Sequence, residues 1–202
     1  KLLEIGDTPY TDKRAPVPDT AIEYFQYCQS ISLPQCITNN ALQYLTQVKR
    51  IDLSNCKNIT HNGLSLLTNA VYLNLHGSAV TPTQLPPALK RLSLSHIDIP
   101  DTQLQDYSQL TMLSLTECRH ITGSGFTHLQ HLKYLELIYC DNVEPRHLLS
   151  LPSLESLTIC SGLFNQINTS DLPSSLQQIT ISGHFSDPIK KQAFREFGIK
   201  VY

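Results

Sequence analysis

The residues of this 202-residue chain whose types could do chemistry are eight histidines and six cysteines. His128 and His131 stand one helical turn apart, as a pair of metal ligands would, yet no Cys or carboxylate follows at a metal-site spacing. Cys160 is the one nucleophile candidate, with His76 or His184 as its base. The pattern described below points Cys160 outward but puts His76 about four strands away, beyond the hydrogen-bond reach a nucleophile needs. It also turns His184 inward. The chain holds no glycine-rich phosphate loop and no G-x-S-x-G. The expectation is a non-enzymatic protein with no catalytic residue, no metal and no cofactor. Asn58-Ile-Thr60 and Asn168-Thr-Ser170 match the glycosylation pattern, but Asn58 falls in a repeat turn where Asn and Thr belong for structural reasons.

The cysteines lead to the elements that must position them. Cys56, Cys118 and Cys140 each close the same phrase: Val48-Lys-Arg-Ile51-Asp-Leu53-Ser-Asn-Cys56, Leu110-Thr-Met-Leu113-Ser-Leu115-Thr-Glu-Cys118 and Leu132-Lys-Tyr-Leu135-Glu-Leu137-Ile-Tyr-Cys140. Looser copies run through Ile31, Leu73, Leu92, Leu157 and Ile179. The second apolar position steps 31, 51, 73, 92, 113, 135, 157, 179, at intervals of 19 to 22 residues. Such a period marks stacked supersecondary units. Within each copy the alternation has period two, so the flanking apolar residues share a core and the residues between them face out. Three cysteines at one inward place read as buried apolar fillers. Free thiols suit a cytosolic setting.

The phrase L-x-x-L-x-L-x-x-C over eight copies resembles the leucine-rich repeat. The resemblance implies an α/β solenoid: a horseshoe with a concave parallel sheet and short helical or 3-10 turns on the convex side. One domain over 1–202 is expected, with an N-terminal half-repeat and cap over 1–27, eight repeats over 28–184 and a C-terminal cap over 185–202. Leu3-Glu-Ile5 opens the half-repeat, a Pro-rich connector runs from Pro9 to Pro18, and Thr20-x-x-Glu23 reads as a capping box opening a short helix through Phe25. Asp187 reads as an N-cap with Pro188 first in the helix, Gly198 as its stop, and Ile199-Lys-Val201 as a last strand.

Cys56-Lys-Asn-Ile-Thr-His-Asn-Gly63 and Cys118-Arg-His-Ile-Thr-Gly-Ser-Gly125 resemble the cysteine-containing repeats of ubiquitin-ligase substrate receptors. Leu85-Pro-Pro-Ala-Leu-Lys-Arg-Leu and Leu172-Pro-Ser-Ser-Leu-Gln-Gln-Ile resemble the L-P-x-x-L repeats of effectors from intracellular bacterial pathogens. The resemblance therefore implies a protein-binding module of the effector type, acting in the cytosol of a host cell. The alternative is the substrate-receptor part of a ubiquitin ligase whose other domain lies elsewhere. The chain begins at Lys1, which reads as a fragment or a processed chain.

Charge and surface narrow the partner. Charged residues are 16% of the chain, below the usual quarter, and the net charge is −2. Nothing favours nucleic acid or an anionic membrane, and no run of about 18 apolar residues could span a bilayer. A monomer binding a folded protein, either a host protein or another bacterial effector enzyme, is expected. The outward positions read as Arg50, Asp52, Tyr72, Asn74, His76 and Arg91, then Met112, Glu117, Tyr134, Glu136, Ile138 and Tyr139. Aromatic and apolar side chains ringed by charge have the composition of a protein-binding hot spot. A convex-side mode, binding by the loops, would instead use His120, Asn142 and Arg146.

Overall fold

A computed structural model describes the backbone of Leu3–Glu4 and residues 17–78, 80, 85–97, 99–183 and 187–202. Ile5, the connector over 9–16 and His184 lie outside the described residues. The chain divides into two compact units, Lys1–Ile97 and Asp98–Tyr202.

The first unit holds five parallel strands paired in chain order: β1 (Leu3–Glu4), β2 (Ser30–Ser32), β3 (Arg50–Asp52), β4 (Tyr72–Leu75) and β5 (Arg91–Ser95). The register follows the repeat, with Ile31, Ile51, Leu73 and Leu92 as successive Cα partners. All four are buried, as are Leu53, Leu75 and Leu94 one alternation further on. The second unit repeats the plan with β6 (Met112–Thr116), β7 (Tyr134–Ile138), β8 (Ser156–Cys160), β9 (Gln178–Ser182) and β10 (Lys200–Val201). Here Leu113, Leu135, Leu157, Ile179 and Val201 share one register.

The return segments are too short for long helices. They form α1 (Asn39–Leu42), α2 (His61–Leu64), α3 (Ser161–Gln166) and 3-10 turns over Asp101–Tyr107, Ser124–His128, Pro145–Ser150 and Thr169–Asp171. Side-chain hydrogen bonds tie several of these turns to the next within a unit. Asp19 accepts from the Thr38 amide (2.9 Å), Asn39 from the Thr60 amide (2.9 Å) and Asp101 from the Thr122 amide (2.8 Å). Asn58 and Asn142 donate to the Cys36 and Arg119 carbonyls of the preceding repeat, which is the structural use of the Asn58 turn.

The ends divide. The C-terminal helix α4 (Pro188–Glu196) starts as expected: Asp187 accepts from the Lys190 amide at 2.9 Å and Pro188 is the first helical residue. Gly198 (φ 88°) ends it in the left-handed region that suits glycine. The N-terminal helix departs from expectation. It is a 3-10 helix over Asp19–Phe25 capped by Pro18, so Thr20 lies inside it and makes no capping box. Asp19, committed to both the amide and the hydroxyl of Thr38, sets the start instead.

Candidate functional site

Alternation leaves one face of each unit's sheet without a core to join, and the named outward residues divide six to each unit. On the first, Arg50, Tyr72 and Arg91 are Cα partners across β3, β4 and β5. Both arginines are exposed and Tyr72 is half-buried. The Arg50 guanidinium lies 5.5 Å from the centre of the Tyr72 ring, within cation–π range. Burial pushes the Tyr72 phenol up from its ordinary pKa and the Asp52 carboxylate adds to this, while Arg50 and Arg91 oppose it. Asp52 and Asn74 sit one alternation on and serve the backbone: they accept from the amides of Ser54 (2.9 Å) and His76 (3.0 Å). The His76 side chain is exposed.

The second unit carries the apolar share. Met112 pairs with Tyr134, and Thr116 with Ile138. Tyr134 is 47% and Tyr139 60% exposed, with Met112 and Ile138 half-buried beside them. Between these rows the Ser114 hydroxyl donates to the Glu136 carboxylate at 2.6 Å. Lys133 and Glu155 pair at 2.7 Å alongside. Just past the strands, Glu117 and Tyr139 both hold φ at 53°. They line a cleft of about 510 Å³ with Arg119, Asp141 and Asn142.

No family model matches the sequence, and no curated protein matches it. Solved structures do. Internalin C2 from Listeria monocytogenes aligns with a TM-score of 0.58 at 20% identity over 92% of this chain and 84% of its own. The leucine-rich-repeat-containing protein LegL7 from Legionella pneumophila aligns at 0.57 and 12% identity over 89% and 77%. The chain has the leucine-rich-repeat fold. A chain of the Toll–Spatzle complex of Drosophila aligns at 0.55 and 14% identity over 77% of this chain, which spans only 23% of that longer one.

The leucine-rich-repeat geometry corrects one expected position. Cys160 does not face out: it is 6% exposed, because the chain turns from β8 straight into α3 and carries its side chain into the core. Ser95, at the corresponding end of β5, is likewise fully buried, and its hydroxyl has no partner among the described residues. Cys56, Cys118 and Cys140 are buried as the repeat predicts. Cys56 and Cys140 reach back to the Leu33 and Leu115 carbonyls of the preceding strand. Burial pushes both thiols up to about 12, which keeps them protonated and poorly nucleophilic. No group of three His, Cys, Asp or Glu able to hold a metal occurs among the described residues.

Of the loop residues of the alternative mode, His120 is exposed, Asn142 is engaged with the Arg119 carbonyl and shares the cleft of Glu117 and Tyr139, and Arg146 pairs with Glu144 at 2.5 Å. Several exposed apolar residues escaped the sequence reading. Tyr24 and Tyr27 flank the end of the first 3-10 helix, and Ile189 and Phe197 stand on the cap helix with Tyr202 beyond. The spacing of Ile189, Ala193 and Phe197, four residues apart and away from buried Phe194, was the available signal.

Proposed function

We propose that this leucine-rich-repeat chain is a non-enzymatic recognition module that holds a folded protein against the open strand face. The observation that carries this reading is the cluster of Tyr134 and Tyr139, both largely exposed, with Met112 and Ile138 on the second unit. Large apolar side chains turned to water at the centre of a polar surface are the usual anchors of a protein interface. Glu117 and Glu136 supply charged groups at its edge. The fold adds support, since a chain of similar architecture occurs in the Toll–Spatzle complex. The L-P-x-x-L repeats resemble those of bacterial effectors, and proteins of Legionella pneumophila and Listeria monocytogenes share the fold, in keeping with an effector role; action in a host cytosol, as a monomer, completes the proposal. No described helix is long and apolar enough to cross a membrane. Its partner would be a host protein or another effector enzyme.

The test is capture of partners from host-cell lysate by the intact chain, identification by mass spectrometry, and titration of the purified partner. Tyr134→Ala should weaken binding by about 2 kcal/mol, near thirtyfold, with the melting transition almost unchanged. If Tyr134, Ile138 and Tyr139 can all be truncated in a folded chain without loss, the strand-face reading is wrong. Sensitivity would then be sought at His120, Asn142 and Arg146.

A further inference from the structure

The net value conceals an uneven spread of charge: residues 1–97 hold eight basic and six acidic residues, and residues 98–202 hold seven and eleven. Between residues 24 and 97 the chain has five basic residues, Lys49, Arg50, Lys57, Lys90 and Arg91, against one acidic residue, Asp52. All five basic residues are exposed. Four of them stand as two pairs, Lys49-Arg50 leading into β3 and Lys90-Arg91 leading into β5. Tyr72 of β4 lies between the pairs. The backbone holds this arrangement in register: the Tyr72 amide donates to the Lys49 carbonyl and the Arg91 amide to the Val71 carbonyl, each at 3.0 Å. Arg50 and Arg91 are two strands apart, about 10 Å between backbones, a span across which two long side chains can converge on one anionic group. Asp52 is the one acidic residue of the described strands β2 to β5; it accepts from the Ser54 amide, and its single negative charge is outnumbered by the four basic residues of the two pairs.

We propose that this row, Lys49-Arg50, Tyr72 and Lys90-Arg91, binds a short acidic segment of the protein partner. The inference rests on the recognition reading and gives it a partner chemistry. Guanidinium groups take carboxylates in a two-pronged fashion that ammonium groups cannot match, and the Tyr72 ring steadies the Arg50 guanidinium that lies over it. Charge complementarity selects the occupant. A polynucleotide is disfavoured because its charge continues past the patch and meets a chain of net charge −2. An acidic peptide segment ends where the patch ends.

Fluorescein-labelled hexaglutamate, titrated by anisotropy against the intact chain at low salt, tests this directly. Binding should weaken as salt rises. Arg50→Glu with Arg91→Glu should lower affinity roughly tenfold or more, since exposed charges set encounter and register. Arg195→Glu with Lys200→Glu makes the same change in net charge on the second unit and should leave affinity nearly unchanged. Circular dichroism melts verify that each variant is folded. Absence of hexaglutamate binding to the unaltered chain overturns the proposal, as does equal loss in both variants. Tighter binding of labelled oligothymidine with the same dependence on Arg50 and Arg91 also overturns it, in favour of nucleic acid. A chain that captures its partner through Tyr134 and Tyr139 yet ignores hexaglutamate removes this inference and leaves the recognition reading standing.

Discussion

Removing the Asp101 carboxylate should unfasten the second unit at its return face. Asp101 accepts four hydrogen bonds: from the Thr122 amide and hydroxyl (both 2.8 Å), the Gly123 amide (2.9 Å) and the Gly125 amide (3.1 Å). One side chain therefore ties the 3-10 turn Asp101–Tyr107 to the turn Ser124–His128 in the next repeat. Asp101→Ala strands three amides, and water can reach only some of them. At about 1 kcal/mol for each lost bond, the expected cost is roughly 2–4 kcal/mol. Asp101→Asn should cost less, about 1 kcal/mol, because Asn39 already does the equivalent work at Thr60, accepting from its amide and donating to its hydroxyl at 2.8 Å. The charge adds a pH signature. Burial raises the Asp101 pKa, but the hydrogen bonds from Thr122, Gly125 and Gly123 outweigh it and hold the group below its ordinary 3.8. A depressed folded value means the contribution is complete above the unfolded pKa and disappears as pH falls through the folded one. Urea melts followed by circular dichroism should show the gap between the native chain and Asp101→Asn constant from about pH 5 to 8 and closing below about pH 4. An Asp101→Ala melt within about 0.5 kcal/mol of the native chain would refute the reasoning. So would Asn proving as damaging as Ala.

Other consequences are as direct. Leu135→Ala empties a buried site in mid-stack and should cost about 2–5 kcal/mol in the same urea melts. Ser78 occupies the place that Cys36, Cys56, Cys118 and Cys140 fill in four other repeats, and its buried hydroxyl has no partner among the described residues, so Ser78→Cys should raise stability by roughly 1 kcal/mol. Alkylation of the native protein followed by peptide mapping should label exposed Cys36 first and reach Cys56, Cys118, Cys140 and Cys160 only on unfolding. Gly125→Ala should destabilise the second unit by more than 1 kcal/mol, because a Cβ there would collide with the Asp101 carbonyl oxygen.

The strands were legible because their signal is local. Ile51-Asp-Leu53 and Leu113-Ser-Leu115 show inside and outside within three residues, and repetition fixes the partner of each. Exposed Tyr134 followed from the same alternation, since it is read outward as soon as Leu135 and Leu137 are read inward, whereas Tyr139 has the inward parity and is exposed because β7 ends at Ile138 and the backbone turns left-handed at Tyr139. What was hidden involves groups far apart in sequence. Thr20 and Glu23 have the spacing of a capping box, but Asp19 bonds across to Thr38 in the next repeat, and that bond decides where the helix begins. The ladder from Asp101 to Thr122 spans 21 residues and has no signature within either segment alone. Cys160 was misplaced because alternation predicts facing only while the strand lasts, and β8 ends there. The basic row around Tyr72 was visible residue by residue. Its concentration shows only when charge is counted over residues 24–97 rather than over the chain.

Directly after five of the strands the backbone makes the same left-handed step, at Asn55 (φ 61°), Gly77 (65°), His96 (54°), Glu117 (53°) and Tyr139 (53°). The amides of Asn55 and Glu117 use it to reach the next repeat, donating to the His76 and Ile138 carbonyls at 2.8 Å. Glycine fits such a step freely and asparagine nearly so, whereas Glu and Tyr give up roughly 1 kcal/mol each. The column is thus a record of two competing demands on one position. Where the scaffold alone was served, as at Gly77, the backbone received the residue it favours. Where Glu117 and Tyr139 stand, the backbone carries residues it does not favour, as it would if the proposed binding surface needed those side chains. An engineer who filled the whole column with glycine would gain a firmer solenoid and erase part of its address. Related sequences that keep a bulky residue at these two places, against the preference of their own backbone, would mark them as sites under selection for contact rather than for folding.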